Sequence, residues 1–381
     1  MGAEVFDIVR KVDQLSWPSG ADFVLGAGQA VAPQVVLEQR NWSLYSLDLT
    51  TDLAWFVELP EGFDLSASAF AFIDQHAQAR RVLQMSLSDL QEVAATAASP
   101  RHVIFVFNIG RCGSTLISHV LNTSPEVWGL SEPVAFVRLI LQNYDSEHRL
   151  EASRGNLVNM IRACTLLQFR PPMGSSRNVF ALKFHSQTLF QADLYHEAFP
   201  DASFVFLYRD AIGWTKSWYQ MARKYGFAAE LTGAKKSSIW NTVTAADDLA
   251  LLAPYVDLDA PGLPLEDGLV IGWARNLEEY ERQLAAGVPF LAMRYNDLNR
   301  DREMSLVRLF RHCGLPPDDA VAGLAAFDRD SQAGTLVSHD VAAEEMTDAQ
   351  VDRLRGVLAR HPRHGDPDQR LADIHSPAPA S

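Results

Sequence analysis

Residues 103–107, Val-Ile-Phe-Val-Phe, form an unbroken apolar run of β-branched and aromatic side chains, the pattern of a strand covered on both faces. Similar runs recur. Val179–His185 leads into a helical stretch to about Phe199, and Ser203–Tyr208 leads into a helix from about Ala211. Pro289–Tyr295 follows a helix from about Glu266 to Ala286 and precedes another over Met304–Cys313. Strands alternating with helices predict a parallel sheet, because parallel neighbours need crossover connections. The first run ends in Asn108-Ile-Gly-Arg-Cys-Gly-Ser-Thr115, followed by an amphipathic helix to about Leu121. Residues 1–98 have a mixed character. Val35–Glu58 sets Trp42, Tyr45, Trp55 and Phe56 among polar residues, as in two or three strands. Ser66–Ala98 carries Ala, Gln and Leu at helical spacing, with Ser88 and Gln91 placed as a capping box. The expected fold class is α/β: a three-layer core with a central parallel β-sheet flanked by helices, plus a mixed α+β N-terminal extension. The expected boundaries are 1–98 for the extension, 99–340 for the core and 341–381 for a C-terminal helix and disordered tail. Residues 226–268, punctuated by Gly233, Pro254, Pro261 and Pro264, form an insertion placed to cap a pocket.

Composition narrows the function. Of 381 residues 48% are hydrophobic and 21% charged, as in ordinary globular proteins, and the net charge is −14. That acidity argues against a nucleic-acid partner, which calls for a basic surface. No stretch approaches the ~20 apolar residues of a membrane span. The N-terminal MGAEVFDIVRKVDQ carries charges where the apolar core of a signal peptide would lie. Three cysteines, Cys112, Cys164 and Cys313, are too few for a disulfide framework, and the cytoplasm is the expected compartment.

The segment 108–115 is where chemistry first shows. A strand, a glycine-containing turn and a helix make an anion site, because the first N–H groups of a helix are unpaired and its dipole is positive there. Gly110 and Gly113 permit the turn; Ser114 and Thr115 add hydroxyls. A nucleoside-triphosphate loop would place Lys directly before the Ser/Thr, but Gly113 stands there and the nearest cation is Arg111. A second anchor for an anion is Arg209, which ends the Ser203–Tyr208 run, with Ser217 eight residues later. Lys183 and His185 lie two apart at a strand end and so share a face, where open α/β sheets bind ligands. The plainer readings are a solvated Lys183, a helix-capping His185 and a strand-end ion pair for Arg209.

Gly110-Arg-Cys-Gly-Ser-Thr115 resembles the 5′-phosphosulfate loop of the sulfotransferases that use 3′-phosphoadenosine 5′-phosphosulfate (PAPS), members of the P-loop-like α/β folds. Arg209 and Ser217 resemble that family's 3′-phosphate motif. The resemblance covers roughly residues 101–340. It implies that Arg111 contacts the sulfuryl group and bridging oxygen, and that Gly113, Ser114 and Thr115 hold the 5′-phosphate, with Gly110 and Cys112 in the loop. Cys112 sits at a small-residue position and reads as packing. Lys183-Phe-His185 resembles the family's Lys-x-His, in which His deprotonates the acceptor hydroxyl and Lys neutralises sulfuryl charge; Phe184 stands where Thr is common. Leu130-Ser-Glu-Pro133 resembles the place where other members carry a catalytic Glu, so Glu132 competes with His185 as the base. Alternatively, Ser131 caps a helix and Glu132 sits in its first turn. Met293-Arg-Tyr-Asn-Asp-Leu298 with Asp301 resembles the family's last core strand and turn, Asn296 replacing Glu. The family's Arg-Lys-Gly motif is absent, and Arg329, Ser331, Gln332 and Gly334 are the donor-loop candidates in its place.

The resemblance implies PAPS as donor, 3′,5′-ADP as product, and an acceptor that is a small molecule or glycan with a hydroxyl. No metal is expected, and a homodimer is an open possibility. Trp214, Trp218, Tyr219, Tyr225 and Trp240 either line an aromatic acceptor pocket or belong to the core. The rivals are an ATP-dependent kinase, with Asp210 after the third apolar run as a metal carboxylate, and a non-catalytic nucleotide-binding protein. His361 and His364 read as solvated.

Overall fold

A computed structural model describes residues 2–12, 17–144, 153–232, 253–257, 259–333, 338, 342 and 344–375, with backbone alone for 140–144. Strands β1 (Ala3–Lys11), β2 (Phe23–Val31), β3 (Trp42–Asp48), β4 (Leu53–Glu58) and β5 (Arg81–Ser86) form an antiparallel sheet in the order β2-β1-β5-β4-β3. Strands β6 (His102–Asn108), β7 (Val127–Ser131), β8 (Val179–Lys183), β9 (Ser203–Tyr208) and β12 (Phe290–Arg294) form a parallel sheet in the order β12-β9-β6-β8-β7. Between β9 and β12 lies a short ladder of β10 (Glu230–Leu231) and β11 (Leu263–Pro264). The fold class is thus α/β, with a parallel sheet flanked by helices and a mixed α+β N-terminal region. No helix among the described residues is long and apolar enough to cross a membrane.

Four of the five parallel strands carry the apolar runs that predicted them. β7, Val-Trp-Gly-Leu-Ser, escaped because it is short and has glycine at its centre, ordinarily a weakening residue in a strand. Here the glycine has a packing reason: a Cβ on Gly129 would lie 3.0 Å from Asn122 Oδ1 and 3.3 Å from the Cβ of Ala181. β5 corrects the helical reading of 66–98. Its Leu, Gln and Met favour helix, but pairing with both β1 and β4 overrides them and separates helices Ala71–Gln78 and Leu87–Ala94. The cap of the second helix is Ser86, which accepts the Asp89 N–H at 3.0 Å, and not Ser88.

The chain divides into two compact units, Met1–Phe105 with Leu121–Ala202, and Val106–Val120 with Ser203–Ser381. In the first, Phe105, Phe136, Phe184, Tyr195 and Phe199 pack ring to ring. Helix Arg154–Gln168 buries Val158, Ile161, Cys164 and Leu167 there. In the second, Phe107, Phe204, Phe206, Tyr280 and Phe290 form the aromatic core. Each such side chain removed from water contributes about 1.5–3 kcal/mol.

Helix Asp348–Leu358 is followed by a strap in which the Ile374 N–H donates to the Phe290 carbonyl at 3.1 Å and Asp373 accepts the Ala292 N–H at 3.2 Å. His361 and His364 correct the solvated reading: both are buried, the first stacked on Tyr255, because they pack beside Glu278 and Glu281. The part of the insertion over 233–252 and the tail 376–381 lie outside the described residues.

Candidate functional site

In the second unit the chain leaves β6 through three left-handed residues: Gly110 (φ 72°), Arg111 (φ 50°) and Gly113 (φ 81°). Asn108 begins the turn by accepting the Gly110 N–H at 2.8 Å, and helix Ser114–Leu121 begins directly after it. Neither glycine has room for a side chain. A Cβ on Gly110 would come within 2.9 Å of the Trp218 ring and one on Gly113 within 2.7 Å of the Tyr295 ring. Gly113→Ala therefore combines an unfavourable φ with a clash. It is expected to lower stability by about 1–3 kcal/mol, read as a reduced urea midpoint.

The loop faces a cavity of about 170 Å³ whose wall includes Gly113, Ser114, Thr115, Arg209 and Ser217. Arg111 crosses it: its Nε donates to Ser217 Oγ at 3.0 Å and its Nη1 to Gln332 Oε1 at 2.8 Å. Burial, with Arg209 adding like-charge repulsion, pushes the Arg111 pKa down, but a guanidinium stays charged at neutral pH. Arg209 lies over the Tyr295 ring, 4.8 Å from its centroid, and its nearest carboxylate oxygen, on Asp210, is 3.8 Å away. Among the described residues its buried Nε has no hydrogen-bond partner, nor has the indole N–H of Trp218, whose ring faces Gly110. These unpartnered groups are donors, and they fit an anionic ligand with acceptor oxygens.

Ser331, Gln332 and Arg329 line the same cavity; Gly334 lies outside the described residues. Cys112 is fully buried, with its thiol directed at the Leu207 carbonyl at 3.4 Å. Asp210 caps helix Ala211–Lys224, accepting the Gly213 N–H at 2.7 Å. Trp214, Trp218 and Tyr219 are buried and Tyr225 is exposed, whereas Trp240 lies outside the described residues. Sequence reasoning gave Tyr295 no part in the site. Its signal was an aromatic residue directly after a strand end, opposite a glycine that admits it.

The other candidates meet in the first unit. Lys183, the last residue of β8, is 3% exposed at its side chain, and its Nζ hydrogen-bonds Glu132 Oε1. The solvated reading of Lys183 fails because this carboxylate offsets its burial. Glu132 directly follows β7 at φ 53°, and its N–H donates to the Lys183 carbonyl at 2.7 Å. The helix reading is corrected accordingly: Ser131 ends a strand, and the helix starts only at Ala135. Lys183 Nζ also lies 5.7 Å from the centroid of Phe70.

His185 makes no capping bond to the 3₁₀ helix that follows it. Its ring meets the Trp17 ring edge-on at 4.6 Å, and its buried Nδ1 has no partner among the described residues. Burial is the main cause that pushes its pKa below 6.5; Lys183 works in the same direction and Glu132 against it. Trp17 is held in turn by Arg138, which donates to the carbonyls of Trp17 and Pro18 at 3.1 and 3.0 Å. Trp17 and Phe70 both come from the N-terminal region, in which the sequence showed no chemistry.

No family model matches the chain, and no curated protein sequence matches it. Solved structures similar to it include the sulfotransferase STF1 of Mycobacterium tuberculosis, at 16% identity over 70% of this chain and 81% of that one, with a TM-score of 0.41. A sulfotransferase of Alicyclobacillus acidocaldarius matches at 13% identity over 69% of this chain and 94% of its own, with a TM-score of 0.38. The sulfotransferase domain of the curacin biosynthetic pathway matches at 12% identity over 69% of this chain and 99% of its own, also at 0.38.

Proposed function

We propose that the protein is a sulfotransferase that moves a sulfuryl group from PAPS to a hydroxyl of a small-molecule or glycan acceptor. One observation carries this reading: Gly113, Ser114 and Thr115 of the strand-to-helix turn line a single cavity with Arg209 and Ser217, and the Nε donor of Arg209 has no partner among the described residues. A nucleotide with phosphate at both its 3′ and 5′ positions requires two such clusters of donors. Ser114, Thr115 and the helix N-terminus would hold the 5′-phosphosulfate, and Arg209 and Ser217 the 3′-phosphate. Bound PAPS would supply the activated sulfuryl group; the protein's share is positioning and charge stabilisation. Arg111, charged and poorly hydrated in its cavity, is suited to offset negative charge on the leaving oxygen.

In the first unit, the Glu132 carboxylate is engaged by the Lys183 ammonium. His185, kept neutral by burial and bearing an unpartnered nitrogen, is the better proton acceptor. The kinase alternative loses support because Asp210 is engaged as a helix cap and Gly113 replaces the lysine of a triphosphate loop.

Calorimetric titration with 3′,5′-ADP and with ATP/Mg²⁺ tests the reading; a preference for ATP overturns it. Incubation with PAPS and an acceptor library, read by mass spectrometry for the added sulfuryl group, tests the activity. The base assignment predicts a kcat/KM that rises with pH through a midpoint below 6.5, where His185 loses its proton, and is level above it. His185→Asn is expected to abolish that rise and lower the rate about 10²-fold or more. A limb that survives in His185→Asn and vanishes in Glu132→Gln transfers the role to Glu132.

A further inference from the structure

A second cavity of the same unit, about 290 Å³, is independent of the pocket assigned to PAPS. Consecutive residues of a strand face opposite sides of its sheet. Arg209 and Tyr295, which follow β9 and β12, line the first pocket, whereas their neighbours Tyr208 and Arg294 line the second. The remaining charged groups of its wall are Arg308, Arg370, Asp297 and Asp373.

These charges are not equally matched. Arg308 pairs with Asp373, and Arg370 with Asp297 at 2.6 Å. Arg294 is only 9% exposed at its side chain, yet its ion-pair partner, Asp368 at 2.6 Å, is 77% exposed and outside the cavity wall. The Nε of Arg294 is buried with no hydrogen-bond partner among the described residues. The Tyr208 oxygen already accepts the Leu371 N–H at 3.1 Å, which leaves its hydroxyl hydrogen to donate. Burial pushes the Tyr208 pKa up and keeps that hydrogen in place. Three guanidinium groups thus face two carboxylates around the cavity, and the unsatisfied groups there are donors.

We infer that this cavity is a binding site for a compact oxyanion, the carboxylate or phosphate of a small molecule, gripped by Arg294 Nε and the Tyr208 hydroxyl. The inference does not depend on the sulfotransferase reading. It is tested by calorimetric titration of the full chain with inorganic phosphate and, separately, with citrate. The proteins compared are the parent, Arg294→Gln, Arg370→Glu and the first-pocket variant Arg209→Gln. At least one anion is expected to bind in a way that Arg294→Gln weakens about tenfold or more and Arg209→Gln leaves unchanged. Which anion binds identifies the headgroup. Circular dichroism and the thermal midpoint check that Arg294→Gln is folded. Arg370, 61% exposed at its side chain, provides a variant without a buried change; its charge reversal is expected to weaken binding at least as much. The site is overturned if neither anion binds, if Arg370→Glu binds as the parent does, or if only Arg209→Gln loses binding.

Discussion

On the sulfotransferase reading proposed above, Arg209→Gln is expected to lower kcat/KM for PAPS by about 10²- to 10³-fold while leaving the fold intact. Charge-assisted hydrogen bonds are worth about 1.5–3 kcal/mol each, and a guanidinium can offer two to one phosphate. Among the described residues little depends on this side chain: its Nε has no partner, and the Asp210 carboxylate is 3.8 Å away. The thermal midpoint should therefore move by no more than the loss of its contact with Tyr295 allows, about 0.5–1 kcal/mol. A large kinetic loss at constant stability marks a ligand-binding residue. Equal losses of both, or a kcat/KM within threefold of the parent, would remove Arg209 from the donor site and with it the case for a 3′-phosphate.

The second large effect lies in Lys183 and Glu132, and it is mainly one of stability. Glu132→Gln leaves a nearly fully buried ammonium without its counter-charge, a change that costs about 3–5 kcal/mol in buried pairs. Glu132 itself is 16% exposed, which places the expected loss at the lower end. Lys183→Met strands the carboxylate instead, but at a position water reaches, so its cost should be smaller. The double variant should be more stable than the sum of the two single losses allows, because neither charge then remains buried alone. Urea unfolding of the four proteins measures this cycle; strict additivity would show that the pair contributes nothing.

The parts of the protein that were legible in its sequence are those in which burial acts on a continuous stretch. β6, β8, β9 and β12 are covered on both faces, so their residues are apolar except at the strand ends and the runs stand out. The turn at 110–115 was legible because two glycines and two hydroxyl residues sit between a strand and a helix, and the structure gives each glycine a reason in Trp218 or Tyr295. β1 and β2 were missed because most of their residues are partly or fully exposed, and β5 because it carries helix-favouring residues and holds its shape through β1 and β4, distant in the chain. Glu132 looked like the start of a helix because Ser-Glu-Pro fits one; only pairing of β7 with β8 ends the strand there and turns its backbone left-handed. The contacts of Trp17 with His185 and of Phe70 with Lys183 span more than a hundred residues of sequence, and no local pattern encodes them.

The three thiols have a practical consequence. Cys112, Cys164 and Cys313 are all thiols outside any disulfide and all buried, so a cysteine-reactive reagent can modify each only after the surrounding structure opens. Cys164 sits within a packed helix and Cys313 directly after one, and burial holds both thiols in the unreactive protonated form. Cys112 lies in the glycine turn instead, so its modification time reports the loosening of that turn while the other two record wholesale unfolding. The native chain thus already carries separate timers for its glycine turn and its interior, without any engineered label.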